Sequence, residues 1–68
     1  MRMLSVGSQN IELAGYDENL KILQIQFTNG TYEYYDVPKM IYHGLMTASS
    51  PKRYFNEYIK DVYRYSRL

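Results

Sequence analysis

Leu23, Ile25 and Phe27 alternate with Gln24 and Gln26, the two-residue period of a half-buried β-strand. Asn29-Gly30 follows, the preferred pair for a two-residue type I′ turn, and Thr31-Tyr32-Glu33-Tyr34-Tyr35 then returns with strand propensity. A turn on Asn29-Gly30 predicts a register in which Phe27 faces Tyr32, Ile25 faces Tyr34 and Gln24 faces Tyr35. Cross-strand partners share a face. Tyr32 and Tyr34 therefore join the apolar face, and Tyr35 joins the wet face with Gln24, Gln26 and Glu33. Upstream, Ile11 to Tyr16 also alternates and reads as a strand, with Gly15 read as ending it and Asp17-Glu18-Asn19 turning the chain back. Met3–Val6 is a weaker candidate, an edge strand or an extended arm.

Downstream the period lengthens. Asp36 or Val37 stands near a helix start, with Pro38 suited to the first turn. Ile41, Leu45 and Ala48 then fall on one helical face. Ser49-Ser50-Pro51 reads as a second cap followed by proline at the first helical position. Tyr54, Phe55, Tyr58, Ile59 and Val62 recur at helical spacing, so the second helix is expected from Pro51 to Ile59 or slightly beyond. Arg64–Leu68 is a tail that adds a strand or frays. The expected fold class is α+β: an antiparallel meander of three to four strands, then two short helices packed on one sheet face, in a single domain over residues 1–68.

Composition adds limits. At 68 residues the chain has room for one core, and it contains no cysteine, so disulfide frameworks and thiolate metal sites are excluded. A reducing, cytoplasmic setting fits that usage. No apolar stretch is long enough to span a bilayer, and Met1–Ser5 does not read as a signal peptide. The sole histidine, His43, has no carboxylate at helical spacing and reads as a surface residue. The glycines form no phosphate loop, and no motif surrounds a serine. Gly44 within a helix suggests close packing. The reading is therefore a non-enzymatic protein without a cofactor, metal or membrane role.

Charge sharpens this picture. Residues 1–36 carry net −3 and residues 37–68 net +4. A basic half interleaved with rings fits phosphates and unstacked bases, and it also fits an ordinary solvated helix face. Tyrosine is the compositional anomaly, at nine residues. The spacing assigns Tyr32, Tyr34, Tyr54 and Tyr58 to the core, and leaves Tyr16 and Tyr42 open. Tyr35, Tyr63 and Tyr65 are the surface candidates. The candidate nucleic-acid contacts are Lys52, Arg53, Lys60, Arg64 and Arg67, with Tyr35, Tyr63 and Tyr65 as stacking rings. The alternative is a protein-interaction or homo-oligomerising module using a sheet edge or a tyrosine patch.

Three stretches together resemble the KTSC domain family. They are Leu23-x-Ile25-x-Phe27-x-Asn29-Gly30-x-Tyr32-x-Tyr34-x-x-Val37-Pro38, Tyr42-x-x-Leu45-x-x-Ala48-x-Ser50 and Arg53-Tyr54-Phe55-Asn56-x-x-Ile59-Lys60. The family is named for the C-terminus of some lysyl-tRNA synthetases and also occurs as short stand-alone bacterial and phage proteins. The resemblance covers about Ser5 through Leu68, including Gly15-Tyr16-Asp17, and the family's tyrosine-x-tyrosine signature falls on Tyr32 and Tyr34. One departure stands at Ser50-Pro51-Lys52, where the family usually has serine-lysine-glycine. The resemblance implies no established activity. The family's link to a tRNA synthetase implies RNA as a partner, in the same direction as the basic half.

Overall fold

Strand β2 (Ile11–Asp17) and strand β3 (Ile22–Phe27) form the centre of the sheet in a computed structural model that describes Met1 through Leu68. Asp17 makes the turn between them, its Oδ1 accepting from the backbone N–H of Asn19 and of Leu20 at 3.0 Å each. Strand β1 (Leu4–Ser8) is the outer neighbour of β2, and strand β4 (Gly30–Tyr34) pairs with β3. Helices α1 (Lys39–Thr47) and α2 (Pro51–Tyr58) follow, and a short strand β5 (Tyr65–Arg67) returns beside β4. All pairings are antiparallel, and the sheet order is β1-β2-β3-β4-β5. The fold class is α+β, with the meander extended to five strands: both weak candidates, Met3–Val6 and the segment after Arg64, pair.

The hairpin register differs from the sequence expectation. Thr28 and Asn29 form the turn, so Phe27 faces Gly30, Ile25 faces Tyr32 and Leu23 faces Tyr34. A type I′ turn needs positive φ at both central residues, yet of the Asn29-Gly30 pair only Gly30 has it, at 149°. Tertiary bonds hold the turn instead. Thr28 N–H donates to the Asn10 carbonyl at 3.1 Å, and Arg67 Nη2 donates to the Asn29 carbonyl. The slip is two residues, so the faces survive. Tyr32 and Tyr34 still share the apolar side with Ile25 and Leu23.

Strict alternation also fails in β2. The register shifts between Ile11 and Leu13, a bulge that lets Ile11 and Ala14 both reach the core. Gly15 does not end this strand. It lies inside β2, where a Cβ would overlap the Arg2 carbonyl and the Met3 sulfur.

Pro38 caps α1 from extended backbone (φ −63°, ψ 147°) and does not belong to its first turn. Ser50 caps α2, its side chain accepting from Arg53 N–H at 3.4 Å, and Pro51 occupies the first turn. The core comprises Ile11, Ala14, Leu23, Ile25, Tyr34, Val37, Leu45, Phe55 and Ile59. Tyr16 ties in the loop before α1: its hydroxyl donates to the Val37 carbonyl, and its ring stacks on Tyr42 with centroids 5.3 Å apart. Tyr58 was expected in the core but is 50% exposed, and Val62 is 58% exposed. Val62 is exposed because α2 ends at Tyr58 and the helical face does not continue to it, whereas Tyr58, still helical, lies against Tyr54 beside the face that buries Phe55. No helix is long and apolar enough to cross a membrane.

Candidate nucleic-acid interface

The helices leave part of the apolar sheet face open. Phe55 of α2 covers Tyr34, ring centroids 5.7 Å apart, and meets Phe27 at 5.1 Å. Beyond Phe55 toward β5, Tyr32 is only half-buried and Tyr65 is 58% exposed. Register explains this cluster. Tyr65 faces Tyr34 across β4 and β5, so both rings lie on the same side as Tyr32. The ring centroids of Tyr65 stand 5.8 Å from Tyr32 and 5.7 Å from Tyr34.

Between these rings and the end of α2 lies a cleft of about 370 Å³. Phe27, Asn29, Tyr32, Tyr34 and Tyr65 line its sheet side, and Phe55, Asn56, Lys60 and Asp61 its helix side. A depression toward the β1–β2 corner shares Phe27, Asn29, Phe55, Asn56 and Lys60 with it and adds Lys52. Another shares Asp61 and Tyr65 and continues past Tyr63 and Arg64 to Tyr35. The first two share five lining residues and form one groove where α2 meets the sheet; the third touches it only through Asp61 and Tyr65.

The nominated residues distribute unevenly along it. Lys52, Lys60 and Tyr65 line the inner part, and neither lysine has a carboxylate within ion-pair distance. Arg67 flanks it, with its guanidinium carbon 5.7 Å from the Tyr32 centroid and no acidic partner. Tyr35, Tyr63 and Arg64 occupy the far depression. There Arg64 pairs with Asp36 at 3.3 Å and lies 5.9 Å from the Tyr35 ring centroid. Arg53 lies outside the groove and pairs with Glu57 at 3.2 Å, one turn along α2. The five cations thus do not gather in one place: Lys60 lines the cleft, Lys52 the depression beside it, Arg67 flanks Tyr32, Arg64 lies in the third depression and Arg53 is separate.

Sequence reading missed Phe27, Asn56 and Asp61 as lining residues. It also assigned Tyr32 to the core with its hydroxyl at the rim, where the structure makes the residue part of the cleft wall. Asn56 lies next to Phe55 in the run Arg53-Tyr54-Phe55-Asn56. Asp61 has a left-handed φ of 64° just after α2, a conformation no sequence pattern announces.

Electrostatics mark the floor. Burial raises the Tyr34 pKa from 10.0 to about 12, helped by Tyr32, Tyr65 and the Asp61 carboxylate. The Tyr34 hydroxyl bonds to no protein group, and no polar side-chain atom in the molecule is both sealed and unpartnered. That hydroxyl therefore keeps access to solvent although the residue is 5% exposed. Burial also raises the pKa of Tyr16 and of Tyr54.

The model of the KTSC domain matches residues 7–63. The chain belongs to the KTSC domain family. A protein of Tsukamurella paurometabola is 43% identical over 63 residues, covering 91% of this chain and 94% of that protein. An uncharacterised protein of Stutzerimonas stutzeri is 34% identical over 70 residues, covering 100% of this chain and 99% of its own. A lysine–tRNA ligase of Nostoc punctiforme is 32% identical over 59 residues, which are 85% of this chain but 10% of that enzyme. The crystal structure of a KTSC domain protein from Yersinia pestis superimposes with a TM-score of 0.96 at 34% identity, covering 98% of this chain and 96% of that one. The tyrosine-x-tyrosine signature of the KTSC domain thus has two physical tasks here. Tyr34 fills the core, and Tyr32 walls the groove.

Proposed function

We propose that this KTSC domain is a non-enzymatic binding module for single-stranded nucleic acid, RNA foremost, and that the groove is its contact surface. One observation carries the reading: Lys52 and Lys60, free of acidic partners, share a continuous groove with the exposed ring of Tyr65. Single strands need both components, cations for phosphates and flat rings for unstacked bases. A paired duplex offers no free base faces to such rings. The similarity of this chain to a segment of a lysine–tRNA ligase supports RNA as the polymer.

The test is anisotropy titration of labelled single-stranded RNA at several salt concentrations. With about three phosphates neutralised, log K should fall against log salt with a slope of about −2, roughly a tenfold to twentyfold loss between 50 and 200 mM. Lys60→Ala should flatten the slope by close to one phosphate. Tyr65→Ala should weaken binding by roughly 5- to 150-fold, the range measured for base–ring stacking, with the slope unchanged. Flat titrations at low salt, or binding indifferent to both substitutions, would overturn the assignment. A salt-tolerant protein partner on the same face would replace it.

A further inference from the structure

Asp61 is the single carboxylate lining the central cleft. It sits next to Lys60 in sequence, within a groove otherwise furnished with cations, and pairs with none of them. Its left-handed backbone, φ 64°, fixes it at the point where the chain leaves α2 for β5. The central cleft and the far depression share this residue. For a surface that meets only phosphates, a carboxylate there is a defect, because like charges repel. For a surface that meets a base edge it is an acceptor, and an ionised carboxylate offers two oxygens and no donor.

Building on the single-strand reading above, we infer that the central cleft admits one unstacked base and that Asp61 selects guanine. Guanine alone among the common bases places two N–H donors side by side, the ring N1–H and the exocyclic amino group, matched to the two carboxylate oxygens. Cytosine and adenine present one amino donor beside an acceptor nitrogen, and uracil presents one imino donor between two carbonyls. Those acceptors would face the carboxylate unfavourably. The cleft, about 370 Å³, lies near the lower end of the roughly 300–1,000 Å³ range of small-molecule sites, a scale suited to a single base. Tyr65 supplies the ring face, and the Asn56 amide lies on the same wall to meet guanine's remaining acceptors.

The experiment compares labelled oligouridine with the same strand carrying one central guanosine, adenosine or inosine. Inosine keeps the ring N–H of guanosine and lacks the amino group. The guanosine strand should bind on the order of tenfold tighter than oligouridine, with inosine intermediate. Asp61→Asn tolerates the left-handed backbone. It should lower affinity for the guanosine strand while leaving or raising that for oligouridine, so the preference disappears. Equal gains for every strand would show Asp61 to be only a repelling charge and would overturn the inference. Equal affinity of the unaltered protein for guanosine and inosine strands would also overturn it, without any variant. In both cases single-strand binding itself would stand. Absence of binding to every strand would instead remove the binding reading and this inference together.

Discussion

The Tyr54 ring lies against Gly44, in the space a β-carbon would occupy. This contact brings α2 close to α1 and leaves Tyr54 half-buried, its ring centroid 4.7 Å from that of Tyr58. The glycine is thus a packing device, at a cost to α1 of about 1 kcal/mol of helix propensity relative to alanine.

That relationship gives a change of sign. Gly44→Ala should gain about 1 kcal/mol of helix propensity but lose roughly 1–3 kcal/mol to overpacking against Tyr54, for a net destabilisation. In a Tyr54→Ala background the clash is gone, and the same substitution should stabilise. Urea unfolding of the four proteins measures the coupling. An equal effect of Gly44→Ala in both backgrounds would show that the ring does not set the helix spacing.

Phe55 and Tyr58 lie one turn apart on α2 and should behave differently. Phe55, 8% exposed, packs on both Phe27 and Tyr34. Its replacement by alanine should cost about 3–5 kcal/mol, enough to unfold a domain this small at room temperature. Tyr58→Ala removes a half-exposed ring and should cost about 1 kcal/mol, the scale of its contact with Tyr54. Thermal unfolding followed by circular dichroism separates the two. Similar losses would place Tyr58 in the core after all.

Alkali should weaken the fold through Tyr34. Its pKa is raised from 10.0 in the unfolded chain to about 12 in the folded one, chiefly by burial. Above pH 10 the unfolded chain therefore binds fewer protons than the folded one, and stability falls as pH rises. The contribution is complete below pH 10 and is lost progressively up to about pH 12. Tyr34→Phe removes the ionising group while keeping the ring, so it should flatten the decline over that window. Stability measured by urea unfolding at stepped pH tests this. An unchanged decline in the variant would assign the alkaline loss to other tyrosines.

The order of elements and their faces were legible because apolar spacing changes from two residues to helical within one short chain. The Ser50-Pro51 start of α2 was legible too, since a serine cap and a first-turn proline act through local bonds. Misread features depend on distant partners. Asn29-Gly30 looks like a self-sufficient turn, but Asn10 and Arg67 hold the loop one residue earlier. The bulge in β2 breaks an alternation that appears regular in sequence. Tyr32 and Tyr34 share one face and differ in burial: Phe55 packs on Tyr34, whereas Tyr32 stands on the open side of the cleft. The groove was half visible: its lysines and Tyr65 stood out by type, whereas Asp61 and Asn56 enter through the way α2 ends.

Strand β5 gives the groove a particular place in the folding order. The hairpins among β1–β4 join residues close in sequence, but Tyr35 N–H reaches the Arg64 carbonyl and Leu68 N–H reaches the Thr31 carbonyl across some thirty residues or more. Those long-range bonds close only after both helices have brought the chain back. Tyr65 and Arg67 arrive with β5, while Phe27 and Tyr32 wait on the hairpin. Pairings that close the longest loop are expected to form late, so the groove should assemble late and be lost when β5 frays. A strand of RNA bridging Tyr65 and Lys60 would act as a clasp, holding β5 in place and slowing amide exchange there before anywhere else.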